Sequence, residues 1–336
     1  MSRGDWRVLG LVAAAVLGGC SHSTTAPGAK AIGVWVSNLT GSTLLGFTPS
    51  QVASSTTTAT PVVLTTGNGN GAVAIDKSGN LWVADPFANS VAGYTPSQLG
   101  QTGSPSATVR VSADASGSLV QPLAMAFDAA GDLWVANAAV EGNGANTIVE
   151  FTPGQLASSG TPTPAVTLHD NAGSINGARG VTFDPGGNLW VSNSATVVEF
   201  ASSQLAASGS PVPAVTLHDD GSGSISGPEG VAFDATGNLW VADFVANTVV
   251  GFSSGQLATS GSPTPAVTLT SSDASALNNP CGLAFDGKGN LWVANQTGQG
   301  LLEYTADELT SSGSPTPPVL IRGTAFAGPC ALVFTP

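Results

Sequence analysis

The chain has 336 residues, of which 42% are hydrophobic and only 9% charged, with 8 Lys and Arg against 21 Asp and Glu and a net charge of −13. No basic patch exists to neutralise a phosphate backbone, so nucleic acid is set aside as a partner. With so few charges, solubility rests on Ser, Thr, Asn and Gly, which suits an exported protein.

Residues 1–19 read as a secretory signal. Arg3 and Arg7 precede an apolar run from Val8 to Leu17, too short to span a membrane as a mature helix. Leu17-Gly18-Gly19-Cys20 resembles the bacterial lipobox. That resemblance implies cleavage before Cys20 and lipid attachment to its sulfur; the plainer alternative is an ordinary signal peptide with a coincidental Cys. Cleavage leaves 6 basic and 20 acidic residues, net −14. Ser21, rather than Asp, follows Cys20, which by analogy with enterobacterial sorting favours the outer membrane. Residues 20–30 form a lipidated Cys and flexible tether. Residues 31–336 form one domain.

From there the chain repeats. GVAFDATGNLWVAD (230–243) recurs at 71–85, 124–137, 180–193 and 282–295. In each copy two short apolar runs flank a polar turn, as Val231–Asp234 and Leu239–Ala242 flank the Thr-Gly-Asn segment. These are strands a and b. Alternation gives strand a a bulky face (Val231, Phe233) and a small one (Gly230, Ala232). The neighbouring blade's bulk, including its Trp, is expected on the small face. Strand c ends in an aromatic: Phe47, Tyr94, Phe151, Phe200, Phe252, Tyr304. Strand d is short: 62–64, 109–111, 166–168, 215–217, 267–269, 319–321. Four strands in roughly 50 residues make one propeller blade. The tryptophans 35, 82, 134, 190, 240 and 292 count six blades.

The expected fold is therefore an all-β, six-bladed β-propeller with four-stranded antiparallel blades. No strand a precedes Trp35, and Cys330–Thr335 is a strand a without a b. The C-terminal strand is expected to complete the first blade and so remove an open edge. Between strands c and d, Thr95, Thr152, Ser253 and Thr305 stand three residues before Gln or Glu. This capping-box pattern predicts a one- or two-turn helix, then an extended loop such as 158–164.

Leu277–Asn295, LNNPCGLAFDGKGNLWVAN, resembles the NHL repeat. Ile225–Asp243 matches too, Leu119–Asn137 has Ala124 in place of Gly, and Ile175–Asn193 has Ala178 in place of Pro. The resemblance spans nearly the whole chain after the tether. It implies a six-bladed propeller of the superfamily that holds scaffolds, sugar-lactone hydrolases and lyases, so it leaves function open.

Strand a begins and strand b ends on one face of the ring, where loops from every blade converge. The position before the strand-a Gly gives Gly71, Leu123, Arg179, Glu229, Cys281 and Cys330. In gluconolactonase-like relatives this position supplies metal ligands; here only Glu229 fits, so no metal and no cofactor are expected. Arg179 and Glu229 come from adjacent blades, as an ion pair or as a polar recognition pair. Cys281 and Cys330 also occupy adjacent blades and are expected to form a disulfide. Strand b ends in Asn38, Asp85, Asn137, Asn193, Asp243 and Asn295, read as Asx-turns; Asp85 and Asp243, on opposite blades, are alternatively ligand contacts. Phe87 and Phe244 are candidate apolar contacts, and the third blade has the longest b–c loop, 137–146. His22 lies in the tether, and His169 and His218 sit at the outer rim, so no His supplies a base at the mouth.

The expectation is a lipid-anchored, non-enzymatic propeller, monomeric, binding an unknown small molecule or envelope protein. A lactonase-like hydrolase or lyase using Glu229, Arg179 and Asp85 or Asp243 is the alternative. A structural scaffold in envelope assembly is the third reading.

Overall fold

The computed structural model describes residues 31–67, 69–138, 146–271 and 277–335. It is a six-bladed β-propeller of four-stranded antiparallel sheets. Residues 1–30, with the signal segment, Cys20 and the tether, lie outside the described residues. In the first blade the strand order is Pro329–Phe334, Val34–Asn38, Thr43–Phe47, Val62–Thr65. The C-terminal strand pairs antiparallel with Val34–Asn38, from Val34 opposite Phe334 to Asn38 opposite Pro329. The last strand of the chain thus supplies the innermost strand of its first sheet.

The blade interfaces follow from register. Ala232 lies opposite Trp240, so the Trp shares the small face of its own blade. The bulk that covers this face is Leu283 and Phe285 of the next blade, in one cluster with Ala232, Trp240 and Ala242. The expectation that the neighbour's Trp covers it is corrected: cross-strand partners must share a face, and Trp pairs with the small Ala of its own strand a. Five of the six Trp meet the next blade's Phe edge-on, as Trp190–Phe233 at 5.8 Å and Trp240–Phe285 at 6.3 Å, and Trp35 shares its cluster with Ile75 instead.

The a–b turn does more than reverse the chain. Asp234 accepts the backbone N–H of Thr236 and Asn238, both at 2.9 Å, and the Trp240 indole at 3.2 Å. Gly237 closes that turn at φ +82°. The same Asp–Trp bond recurs at Asp76, Asp128, Asp184 and Asp286. In the first blade Thr335 stands where Asp would be, and the Trp35 indole N–H is buried without an acceptor among the described residues.

The c–d segment carries the expected short helix in blades 2 to 6, in 3-10 form, as at Pro96–Gln98 and Ser202–Gln204. The capping-box contacts are present, with Thr95 N–H donating to Gln98 Oε1 at 2.8 Å. The helix stops there because the residues after it bond elsewhere. Gly160 donates to Arg110 O at 3.0 Å and accepts from Ser112 N at 2.9 Å, while Ser159 Oγ accepts from Arg110 N. This Ser-Gly clasp recurs at 208–209, 260–261 and 312–313, and residues 102–103 and 55–56 play its part in blades 2 and 1. It covers the outer edge of each preceding blade, an edge that would otherwise be free to pair with another chain.

One blade carries an electrostatic irregularity. Trp134 faces Glu150 across the b–c register, and the turn residue beside it is Asp132 where the other full copies have Asn. In the sixth blade the equivalent Asn290 amide donates to Glu303 at 2.7 Å. In the third, two carboxyls share the hydrogen bond, which needs a proton. Burial, with Asp132 and Asp128 adding, pushes Glu150 up to about 7 from its ordinary 4.5. A carboxyl held protonated by the fold stabilises it below the unfolded value, and that contribution disappears as pH rises from about 4.5 through 7. Asp132→Asn is expected to flatten this slope and add about 1–2 kcal/mol at pH 8, after discounting for solvent screening. Urea unfolding at pH 5 and 8 checks it; equal slopes for both chains would contradict the shared proton.

Candidate functional site

The six ring positions meet at the axis. Gly71, Leu123, Arg179, Glu229, Cys281 and Cys330 all line one cavity of about 830 Å3 at the channel mouth. Strand a runs beside its neighbours here with no room for side chains. A Cβ on Gly180, Gly230 or Gly282 would collide with the carbonyl of Glu229, Cys281 or Cys330 in the next blade. That is the physical meaning of the Gly after Arg179, Glu229 and Cys281; the other three ring positions are followed by the next smallest residue, Ala72, Ala124 and Ala331.

Strand a is the end strand of every sheet. Its edge, not a face, looks into the channel. The cavity is accordingly lined by consecutive residues, Gly180 to Phe183 and Glu229 to Phe233. Their side chains turn sideways into the blade interfaces, where Val181, Val231 and Leu283 are buried. The wall therefore offers backbone N–H and C=O groups as well as apolar surface.

Charge enters the mouth at the seam of blades 4 and 5. Arg179 Nη1 lies 3.5 Å from Glu229 Oε1, with 46% of the Arg side chain exposed against 19% of the Glu. Burial raises the Glu229 carboxyl, and the Arg179 guanidinium opposes that rise. Ser192 Oγ donates to the Glu229 backbone carbonyl, tying the two blades directly below the pair. Cys281 and Cys330 lie on neighbouring inner strands at the seam of blades 6 and 1. Their Cα atoms are 4.9 Å apart, and the structure joins their sulfurs.

The two aspartates proposed as ligand contacts are absorbed by the loops. Asp243 is fully buried and accepts from Ser226 N–H and Oγ, Gly227, Val245 and Ala246. Asp85 is 5% exposed and accepts from Ala88 N. Neither lines the cavity. The reason is geometric: the end of strand b lies one strand outside the axis, between two loops whose amide groups need acceptors. Asn38, Asn137 and Asn193 do the same work, tying the d–a loop to the start of strand c or to the b–c loop. Phe244 lines the cavity, whereas Phe87 stands 71% exposed above Gly69 and outside it.

A second set of stitches escaped the sequence reading. Asn89, Asn146, Asn247 and Gln299, each just before strand c, accept a backbone N–H from the next blade's d–a loop. A polar residue before strand c was their visible signal. Blade 4 lacks one, since its b–c connection is only Asn193 to Thr196. Most of the long loop of the third blade, 139–145, lies outside the described residues. His169 and His218 close their d strands, exposed at the outer rim. No group of three or more metal-ligating side chains occurs among the described residues, and no helix there is long and apolar enough to cross a membrane.

No protein-family model matches the chain, and no curated protein matches it in sequence. Solved structures do match. A chain of a nidogen/laminin complex aligns with TM-score 0.62 and 12% identity, over 91% of this chain and 99% of its own. A streptogramin B lyase aligns with TM-score 0.54 and 12% identity, over 84% and 82%. A catalytically inactive virginiamycin B lyase from Staphylococcus aureus with quinupristin gives 0.51 and 14%, over 82% of each chain. At such identities the likeness is one of fold, and the fold it supports is the six-bladed propeller.

Proposed function

We propose that this chain is a non-enzymatic binding propeller of the NHL type, held at the cell envelope by lipid on Cys20 and taking its ligand at the channel mouth. One observation carries the binding part. All six ring positions open on a single cavity of a size suited to ligands, yet they contribute one carboxylate, and it is already paired. A catalytic constellation needs a nucleophile or base with its orienting partner, and Cys281 and Cys330 are joined to each other. The neighbours accord with either kind of use, since one comes from a protein complex and another was solved with quinupristin. The lipid anchor rests on residues 17–20 alone.

The competing reading is a lactonase-like hydrolase, favoured by the raised Glu229 carboxyl. Native mass spectrometry of the full chain from its own membranes separates them. The expected spectrum shows lipid on Cys20 and a co-purifying occupant that Leu123→Trp, which fills the mouth, displaces. A divalent ion in its place, lost with lactonase activity in Glu229→Gln, would overturn the binding reading.

A further inference from the structure

The chemistry of the mouth narrows its ligand. The channel wall is built from strand edges, so apart from Leu123 O and Glu229 O, which accept from Ala72 N–H and Ser192 Oγ of the preceding blade, it carries backbone donors and acceptors that are not used within the sheets. An acyl chain seated there would strip water from these groups and return no hydrogen bond, at a cost per group. An extended peptide carries donors and acceptors at strand spacing and replaces that water. Leu123 and Phe244 at the rim add apolar surface for a side chain.

The accessible charge is cationic. Among the ring positions Arg179 is the only base, and more of it is exposed than of its partner. The 3.5 Å contact with Glu229 is longer than the roughly 2.8 Å of a charge-assisted hydrogen bond. One loose contact leaves most of the guanidinium's five donors for a planar acceptor. The rim is also lowest beside it. The connection from Asn193 to Thr196 is the short one, and Ser194 within it lines the cavity.

Resting on the binding reading, we propose that the mouth captures the free carboxyl end of an extended peptide with an apolar last residue. Its carboxylate sits on Arg179, its amides run along the edges of the inner strands, and its terminal side chain lies against Phe244 and Leu123.

Calorimetry on the full chain tests this with N-acetylated tripeptides of Leu, Val and Phe, each as free acid and as C-terminal amide, and with dodecanoate. The acids are expected to bind at least tenfold tighter than the amides and to outcompete dodecanoate. Arg179→Gln should erase the acid preference. Because that change leaves Glu229 buried and unpaired, the double variant Arg179→Gln/Glu229→Gln, a neutral pair that can still hydrogen-bond, must erase it too while keeping its thermal unfolding. Amides that bind as well as acids, yet are blocked by Leu123→Trp, overturn the carboxylate assignment and leave the mouth as a binding site. Dodecanoate binding above the peptides overturns the peptide assignment. No binding of any peptide overturns the inference outright, and an occupant displaced by Leu123→Trp in the native spectrum then still supports the broader reading.

Discussion

A chain ended at Gly328 is expected to lose its cooperative fold. The missing strand, Pro329–Phe334, is the only partner of Val34–Asn38 on the axial side. Leu332 is 6% exposed, and Val333 and Phe334 pack against the cores on either side of the first blade. Phe334 is also the edge-on partner of Trp292, at 5.9 Å. Burying three such side chains is worth roughly 5 kcal/mol or more, comparable to the whole stability of many domains. The loss also opens a strand edge beside Trp35 and leaves blade 6 without its neighbour, so aggregation should follow. Circular dichroism and light scattering of the truncated chain check this. A synthetic peptide of residues 327–336 should restore a cooperative transition. A soluble truncated chain that melts like the full one would contradict closure by this strand.

The second large effect is expected at the same seam. Cys281 and Cys330 are 49 residues apart and join the inner strands of blades 6 and 1. On the chain-entropy model, which is one account among several, a closed loop of that size stabilises by roughly 4 kcal/mol. Changing both to Ala, or unfolding in reductant, should lower the urea midpoint accordingly while leaving the slope nearly unchanged. Unfolded in the absence of reductant, the chain should show no reactive thiol from either position. Two reactive thiols, or equal midpoints with and without reductant, would show that hydrogen bonds and packing hold the seam alone.

These two expectations concern one place because a ring has one weak point. Five of the six blades are built from four consecutive strands, and the first alone is completed by a strand from the far end of the chain. The junction of blades 6 and 1 is bridged by the C-terminal strand, by the disulfide, and on the outside by Ser55 and Thr56, which bond Leu320 and Arg322. The structure thus closes itself from inside and outside.

Much of this was legible before any coordinates. The spacing of Trp35, Trp82, Trp134, Trp190, Trp240 and Trp292 counts the blades, and Cys330–Thr335 announces the completing strand. The ring positions were legible too, since the same place in each strand a must reach the same height on the axis. Less legible were contacts between copies. Ser159 and Gly160 look like loop filler until Arg110 and Ser112 of the preceding blade are placed beside them. Asp85 and Asp243 look like ligand contacts until the amides around them are seen.

The residues in order therefore determined the repeat, the number of sheets and the set of positions that share the mouth, because a tandem copy must obey one local geometry six times. Tertiary structure alone decided which polar groups remain free, leaving Arg179 half exposed at the mouth while Asp243 is consumed by its own loops. A hydrogen bond between blades depends on distances that no spacing along the chain encodes.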